Sequence, residues 1–208
     1  MNLPNLKRIF IHELGHYTAH TLNLELSNTG AGVAQIWLQE QSGDNFCDYS
    51  GGTTPKVPKN HVNDGQIRNK PEYIGALLYG CIFQNIYESK DRYIPFNECF
   101  CQESDKQKEV RAHGKIDYSN FHKYLGQKIW PEIMIYVEQE YIGLLRQNID
   151  HFEPLFNLEI LEYINVPSKL MYVDLEKLDS NIRPFLETHK KFYASFLTEI
   201  NQRIKNVC

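Results

Sequence analysis

Hydrophobic residues near the start of the chain recur at the spacing of an amphipathic α-helix. From Asn5 to about Leu24 the apolar positions fall on one arc of a helical projection, and Lys7 and Arg8 fall on the opposite side. A second helix is predicted from Pro71 to about Ser89, where apolar residues occur nearly all round the helix. That pattern is typical of a helix buried on every side.

Strand signals are few and lie between these two helices. Residues Val33–Leu38 are rich in β-branched and aromatic side chains, which predicts a strand. The stretch Gln41–Lys70 is rich in Gly, Pro, Asn and Asp and is predicted to be a loop, with one short strand near Phe46–Tyr49. A loop of this length often has a function, and whether it gates a site is left open by the sequence.

The second half of the chain is predicted to be helical. The predicted helices cover residues 115–129, Glu132–Arg146, Pro154–Ile164, and a last one that begins at Asp179 or Pro184 and ends at Val207. The fold class is therefore mainly α with a small β-sheet (α+β). Residues 1–130 are predicted to form one domain, and residues 131–208 a helical C-terminal extension packed on it. Apolar faces of the extension belong to the core or to an interface with a second copy in a homo-oligomer.

Composition narrows the class of protein. The chain has 208 residues, of which 42% are hydrophobic, enough for one domain with a sizeable core. Its net charge of -4 gives no basic surface for nucleic acid. The most apolar window, Ile74–Ile86, is shorter than the about 20 residues that a membrane span needs, and no secretory signal precedes it. We therefore expect a cytoplasmic protein without nucleic-acid or membrane partners.

The cysteine pattern does not indicate a function. The chain has five of them, and only Cys99 and Cys101 are close in sequence. That pair lacks the two-residue gap of most zinc or redox pairs, so we expect reduced structural thiols.

The stretch "HELGHYTAH", from His12 to His20, carries the chemistry. His12 and His16 are four residues apart, so on a helix both imidazoles can bind one tetrahedral zinc ion. Glu13 lies about a quarter-turn away, where its carboxylate can reach the water that zinc acidifies. Glu13 then serves as the general base for attack of that water on a carbonyl group, which is the chemistry of peptide hydrolysis.

The third zinc ligand has to come from another element, as Asp, Glu or His. His20 is four residues beyond His16, but it lies about 12 Å along the helix axis from His12, too far to share one ion. We therefore expect His20 to support the site or to lie at the surface. His122 and His151 could donate hydrogen bonds to a transition-state oxyanion, although a structural role is the simpler interpretation.

Four segments together resemble the peptidase domain of the FtsH-type zinc metallopeptidases. In chain order they are "IHELGHYTAHTLN", the strand "AQIWLQ", the buried helix "EYIGALLYGCIFQNIYE" and "GKIDYSNFHKYLGQKI". The resemblance implies a zincin-like domain in which His12 and His16 bind zinc, Glu13 is the base, and Asp117 is the third ligand. It also matches the segment from Leu78 to Gly80 to the small-residue part of the family's buried helix.

The same resemblance implies a substrate class. The sequence has no G-x-x-x-x-G-K-[ST] phosphate-binding loop, so the chain would not unfold substrates by ATP hydrolysis. The expected substrates are peptides or flexible protein segments, with a separate unfoldase as a partner for folded ones. A substrate could add a strand to Val33–Leu38, where Ile36 and Trp37 would line a pocket, or that strand could be ordinary core.

Two alternatives stay open. The ImmA/IrrE-like regulatory metallopeptidases also carry "HELGH" on a helix, and resemblance to them would nominate Glu72 as the third ligand. A catalytically silent module could keep the motif for metal binding and interaction alone, although a purely structural site would not need the carboxylate of Glu13.

Overall fold

The computed structural model describes residues 2–27, 32–41, 49–56, 71–90, 92–100, 113–165 and 168–207. These residues form a mainly helical fold with a small three-stranded antiparallel sheet, which confirms the predicted fold class. Helix α1 covers Leu3–Ser27 and α2 covers Pro71–Glu88, so both N-terminal helices are confirmed. Most of the predicted loop lies outside the described residues, as does the strand predicted near Phe46–Tyr49 except for Tyr49, which begins a longer strand where a loop was predicted.

The second half of the chain is helical, as predicted, but it is divided more finely. The α-helices are α3 (Lys115–Leu125), α4 (Trp130–Tyr136), α5 (Ile142–Arg146), α6 (Glu153–Phe156) and α7 (Leu175–Val207). A π-helical turn, Val137–Tyr141, joins α4 to α5, and 3₁₀ turns cover Phe96–Phe100, Ile149–His151 and Ile160–Glu162. Helix α3 ends before Ile129 because Gly126 adopts a φ of 78°, a helix-terminating conformation that favours glycine.

The sheet has the order β2-β1-β3, with β1 at Val33–Glu40, β2 at Tyr49–Pro55 and β3 at Leu170–Tyr172. Strand β1 is therefore central, and it pairs on both sides from Trp37 to Gln39. A substrate strand cannot pair with that part of β1, and the Ile36 side chain is fully buried. The predicted strand is thus ordinary core.

Helices α1 and α2 approach each other closely enough to exclude side chains at the crossing. A Cβ atom on Gly15 of α1 would lie 2.2 Å from the backbone oxygen of Tyr79. Only glycine can occupy this position without moving one of the helices. The close approach brings His12 and His16 of α1 directly against α2.

Helix α7 packs across α1 and α2 and is tied to α1 by two tyrosine hydroxyl groups. Tyr193 donates to the Asn23 side chain at 2.8 Å, and Tyr17 donates to the Asp179 carboxylate at 2.8 Å. Buried residues from both halves of the chain belong to one hydrophobic core. The domain boundary at residue 130 stays a prediction. No helix in the described ranges is long and apolar enough to cross a membrane.

The expectation that all cysteines are reduced is wrong for one pair. Cys81 of α2 forms a disulfide with Cys99 in the Phe96–Phe100 turn, and their Cα atoms lie 5.7 Å apart. The two cysteines are 18 residues apart in sequence, and the fold brings the end of the turn against the middle of α2. Cytoplasmic localisation, which was inferred from the lack of a secretory signal and of a membrane span in the sequence, stays a prediction.

Candidate metal centre

The histidine motif lies on the buried side of α1. His12, Glu13 and His16 are 2%, 4% and 9% exposed, although all three are polar or ionisable. Burial of such groups costs free energy unless each finds a partner. The surrounding residues supply those partners from α2, β2 and α3.

Three side-chain donor atoms converge at one point. The Nε2 atoms of His12 and His16 are 3.0 Å apart, and the Oδ2 atom of Asp117 lies 3.5 Å from the first and 3.4 Å from the second. Donor atoms on a tetrahedral zinc ion lie about 3.3 Å apart, because the bonds are about 2.0 Å long. Both the separations and the two-imidazole, one-carboxylate donor set therefore fit a zinc ion.

Helix α2 leaves room for the ion at Gly80. A Cβ atom at this position would lie 2.4 Å from Nε2 of His16 and 2.8 Å from Nε2 of His12. Any side chain here would therefore occupy the space in front of the two imidazole nitrogens. The glycine that lets α2 pass beside the histidines also keeps their converging nitrogens uncovered.

The other ring nitrogen of each histidine is held by an oxygen acceptor on α2. Nδ1 of His12 lies 3.1 Å from Oε1 of Gln84, and Nδ1 of His16 lies 2.7 Å from the backbone oxygen of Ala76. The Gln84 amide is oriented by its own NH₂ group, which donates to Glu88 at 3.0 Å. Nδ1 therefore carries the proton in both neutral rings, which directs the Nε2 lone pairs toward the point of convergence.

Strand β2 fixes the carboxylate of Glu13. The Thr53 hydroxyl group lies 2.8 Å from Oε2 of Glu13 and donates to it, and it lies 3.2 Å from the Glu13 backbone oxygen. Gly51 allows this packing, because a Cβ atom there would lie 2.9 Å from Cγ of Glu13. The carboxylate is thus held in one orientation beside the histidines.

The other candidate ligands lie elsewhere. Glu72 is in the first turn of α2, where its backbone oxygen accepts a hydrogen bond from Asn23, and it is not part of the converging group. His20 is also outside this group; burial, followed by the nearby His16, lowers the pKa of His20 to about 4. His122 packs against Trp130, and His151 stacks on Phe185.

His113 is a neighbour of the centre that the sequence did not single out. Its ring centroid lies 6.0 Å from that of His12. Its Nε2 atom is buried and has no hydrogen-bond partner within the described part of the chain. Burial, reinforced by His12 and Arg8, holds the pKa of His113 well below its usual range, so the ring is neutral. No pattern in the sequence marked it beyond its place one turn before Asp117.

In the metal-free protein, the electrostatics of the centre favour a proton on His16. Burial, the largest single contribution, disfavours the imidazolium, but the Asp117 carboxylate, Glu13 and the Ala76 carbonyl together outweigh it. The pKa of His16 rises to about 9 as a result. Burial alone would raise the pKa of Asp117, but the two imidazoles hold it well below its usual range.

Metal affinity should therefore depend steeply on pH. Binding must displace the proton from His16, whose pKa is about 9, so each pH unit below that value should weaken the apparent affinity by about tenfold. Above it the affinity should level off. Titration of zinc against a competing chelator at several pH values would measure the slope. A flat profile across neutral pH would contradict the inferred proton on His16.

Comparison of the chain with protein-family models, curated proteins and solved structures finds no match. The resemblance to FtsH-type peptidases therefore stays a prediction from the sequence motifs.

Proposed function

We propose that this protein is a zinc-dependent metallopeptidase in which His12, His16 and Asp117 bind the metal and Glu13 is the general base. The observation that carries the proposal is the convergence of three donor atoms from two helices, with a buried carboxylate held beside them. A site that only bound metal for structure would not require Glu13 in this position.

The metal, Glu13 and Thr53 would have different roles in the reaction. Zinc bound at this centre would supply Lewis acidity, which lowers the pKa of water and polarises a carbonyl group. Glu13 would accept the proton of the attacking water and then pass it to the leaving amine. Thr53 keeps the Glu13 carboxylate in one orientation, so the proton acceptor need not reorganise during the reaction.

The depth of the centre supports an extended substrate. The side chains of His12, His16 and Asp117 are only 2%, 11% and 14% exposed. Atoms with so little exposure are easier to reach for a single extended chain than for the surface of a folded protein. The substrate class we propose is therefore peptides and flexible protein segments, with a separate unfoldase required for folded substrates.

Metal analysis of purified variants tests the ligand set. About one zinc per chain is expected in the wild type, as measured by plasma mass spectrometry. His16→Ala and Asp117→Ala should bind zinc at least about 100-fold more weakly, because even the loss of an outer-shell partner can cost 10–100-fold. Glu72→Ala is the matched control and should keep its zinc. Loss of zinc in Glu72→Ala with retention in Asp117→Ala would instead favour the ImmA/IrrE-like ligand set.

Turnover tests the reaction itself. The zinc-loaded wild type should cleave an unstructured polypeptide, and chelation should stop the cleavage while added zinc restores it. A protein that binds one zinc per chain but cleaves no unstructured polypeptide would be the silent interaction module, and the peptidase proposal would fall.

A further inference from the structure

The disulfide between Cys81 and Cys99 lies directly behind the metal centre. Cys81 follows Gly80 on α2, and both cysteines are buried. Sγ of Cys99 lies 3.9 Å from Nδ1 of His12 and 3.4 Å from Oε1 of Gln84. Sγ of Cys99 thus lies near the Nδ1 atom of His12, whereas the Nε2 atom points to the first metal centre.

We propose that reduction of this disulfide creates a second metal site, formed by the thiolates of Cys81 and Cys99 together with Nδ1 of His12. The potential ligand atoms of these three residues lie within 4.8 Å of one another, and all three residues are buried. Two nearby sulfurs and an imidazole nitrogen suit a thiolate-preferring divalent ion such as zinc or cadmium.

The backbone can accommodate both states of the cysteine pair. Two sulfurs on one tetrahedral zinc ion lie about 3.8 Å apart, since the Zn–S bonds are about 2.3 Å long. The Cα atoms of Cys81 and Cys99 are 5.7 Å apart, so side-chain rotation alone can give this separation. Oε1 of Gln84 lies close to Cys99 and His12 and can supply a fourth ligand.

The redox step is an exchange with a dithiol reductant. The reductant transfers two electrons and two protons, so the Cys81–Cys99 bond breaks and a disulfide forms in the reductant. A divalent ion then replaces the two thiol protons, which leave to solvent. A cytoplasmic location, as the sequence predicts, would expose the chain to such reductants.

The two metal sites exclude each other because they share His12. In the first site Nδ1 carries the proton and donates to Gln84, so Nε2 is free to bind metal. Coordination at Nδ1 moves that proton to Nε2, where it faces His16 at 3.0 Å and Asp117 at 3.5 Å. This exclusion rests on the proposed function, whereas the thiolate site does not.

The disulfide also supports the helix that carries Asp117. The backbone N–H of Gly114 donates to the Cys99 backbone oxygen at 2.9 Å, immediately before α3 begins. A Cβ atom on Gly114 would lie 2.3 Å from Sγ of Cys81. Both cysteines are therefore packed against the residue that precedes α3, the helix that carries Asp117.

Cobalt absorption of the full chain tests the proposal. The protein should carry Cys47→Ser, Cys101→Ser and Cys208→Ser, so that Cys81 and Cys99 are the only thiol sources. Thiol titration under denaturing conditions should give no thiols before reduction with a phosphine and two after it. Two thiols before reduction would contradict the disulfide. The reductant is then removed without oxygen before cobalt is added.

Sulfur-to-cobalt charge-transfer absorption should appear in the reduced protein and be absent from the oxidised one. It should be lost in Cys99→Ser and retained in reduced Asp117→Ala, which lacks only the first site. One cobalt per chain in each state supports exclusion; two in the reduced state would overturn it. Cobalt bound to the reduced protein without this absorption would overturn the thiolate site and leave the peptidase centre standing. The absorption together with no metal in the oxidised protein would overturn the peptidase centre alone.

Discussion

Replacing Gly80 by alanine is expected to abolish zinc binding and leave the fold intact. The new methyl carbon would lie 2.4 Å from Nε2 of His16, so the imidazole would have to rotate away. The hydrogen bond from Nδ1 of His16 to the Ala76 backbone oxygen prevents a small adjustment of that ring. Zinc per chain after dialysis is the measurement, with circular dichroism and Tm as tests of the fold.

A second helical glycine provides the matched control. Gly143 in α5 has no atom within 4 Å of an added Cβ atom, so Gly143→Ala should keep one zinc per chain. In both variants alanine favours the helix by about 1 kcal/mol relative to glycine, so propensity does not separate them. Normal zinc affinity in Gly80→Ala would show that the ion does not lie between the two Nε2 atoms.

The long periodic helices could be predicted from sequence because local pattern and burial agree in them. The apolar arc of α1 predicts a helix with one buried side, and the all-round apolar surface of α2 predicts a helix buried on every side. The HELGH spacing then places His12, Glu13 and His16 correctly relative to one another, since it depends only on helix geometry. Asp117 had no such local signal and came from the family resemblance alone.

Strand β2 shows where local pattern fails. Gly51 and Gly52 favour a loop on propensity, yet both lie within the strand. Added Cβ atoms would lie 2.7 Å from the Ile9 side chain and 2.6 Å from the Trp37 ring, respectively. Neighbouring side chains on α1 and β1 require glycine at these two positions. Such contacts between distant segments cannot be inferred from the local sequence of β2.

The cysteine pairing and the support of the histidines were missed for the same reason. Cys99 meets Cys81 because a short 3₁₀ turn returns the chain to the middle of α2. Gln84 is a polar residue on an apolar helix, and its role depends on its contact with His12. Strand β3 has only three residues, too few for a pattern, and exists through pairing with β1.

Glu13→Gln should lower kcat on an unstructured polypeptide by about 10²–10⁴-fold, the usual contribution of a general base. The amide has nearly the shape of the carboxylate, and its oxygen can still accept the hydrogen bond from Thr53. Zinc content and Tm should therefore stay those of the wild type. The measurement is kcat together with zinc per chain on the same preparation.

Measuring kcat and zinc content together distinguishes a general base from a metal ligand. Loss of His16 or Asp117 should remove zinc and turnover together, whereas loss of the Glu13 carboxylate should remove turnover alone. Glu25→Gln is the matched control: Glu25 is also on α1, but it pairs at the surface with Arg183 and Lys190, so both readouts should be unchanged. Wild-type kcat in Glu13→Gln would mean that another group accepts the proton. Because His113 is neutral and its buried Nε2 atom has no hydrogen-bond partner among the described residues, it would then be the next residue to replace.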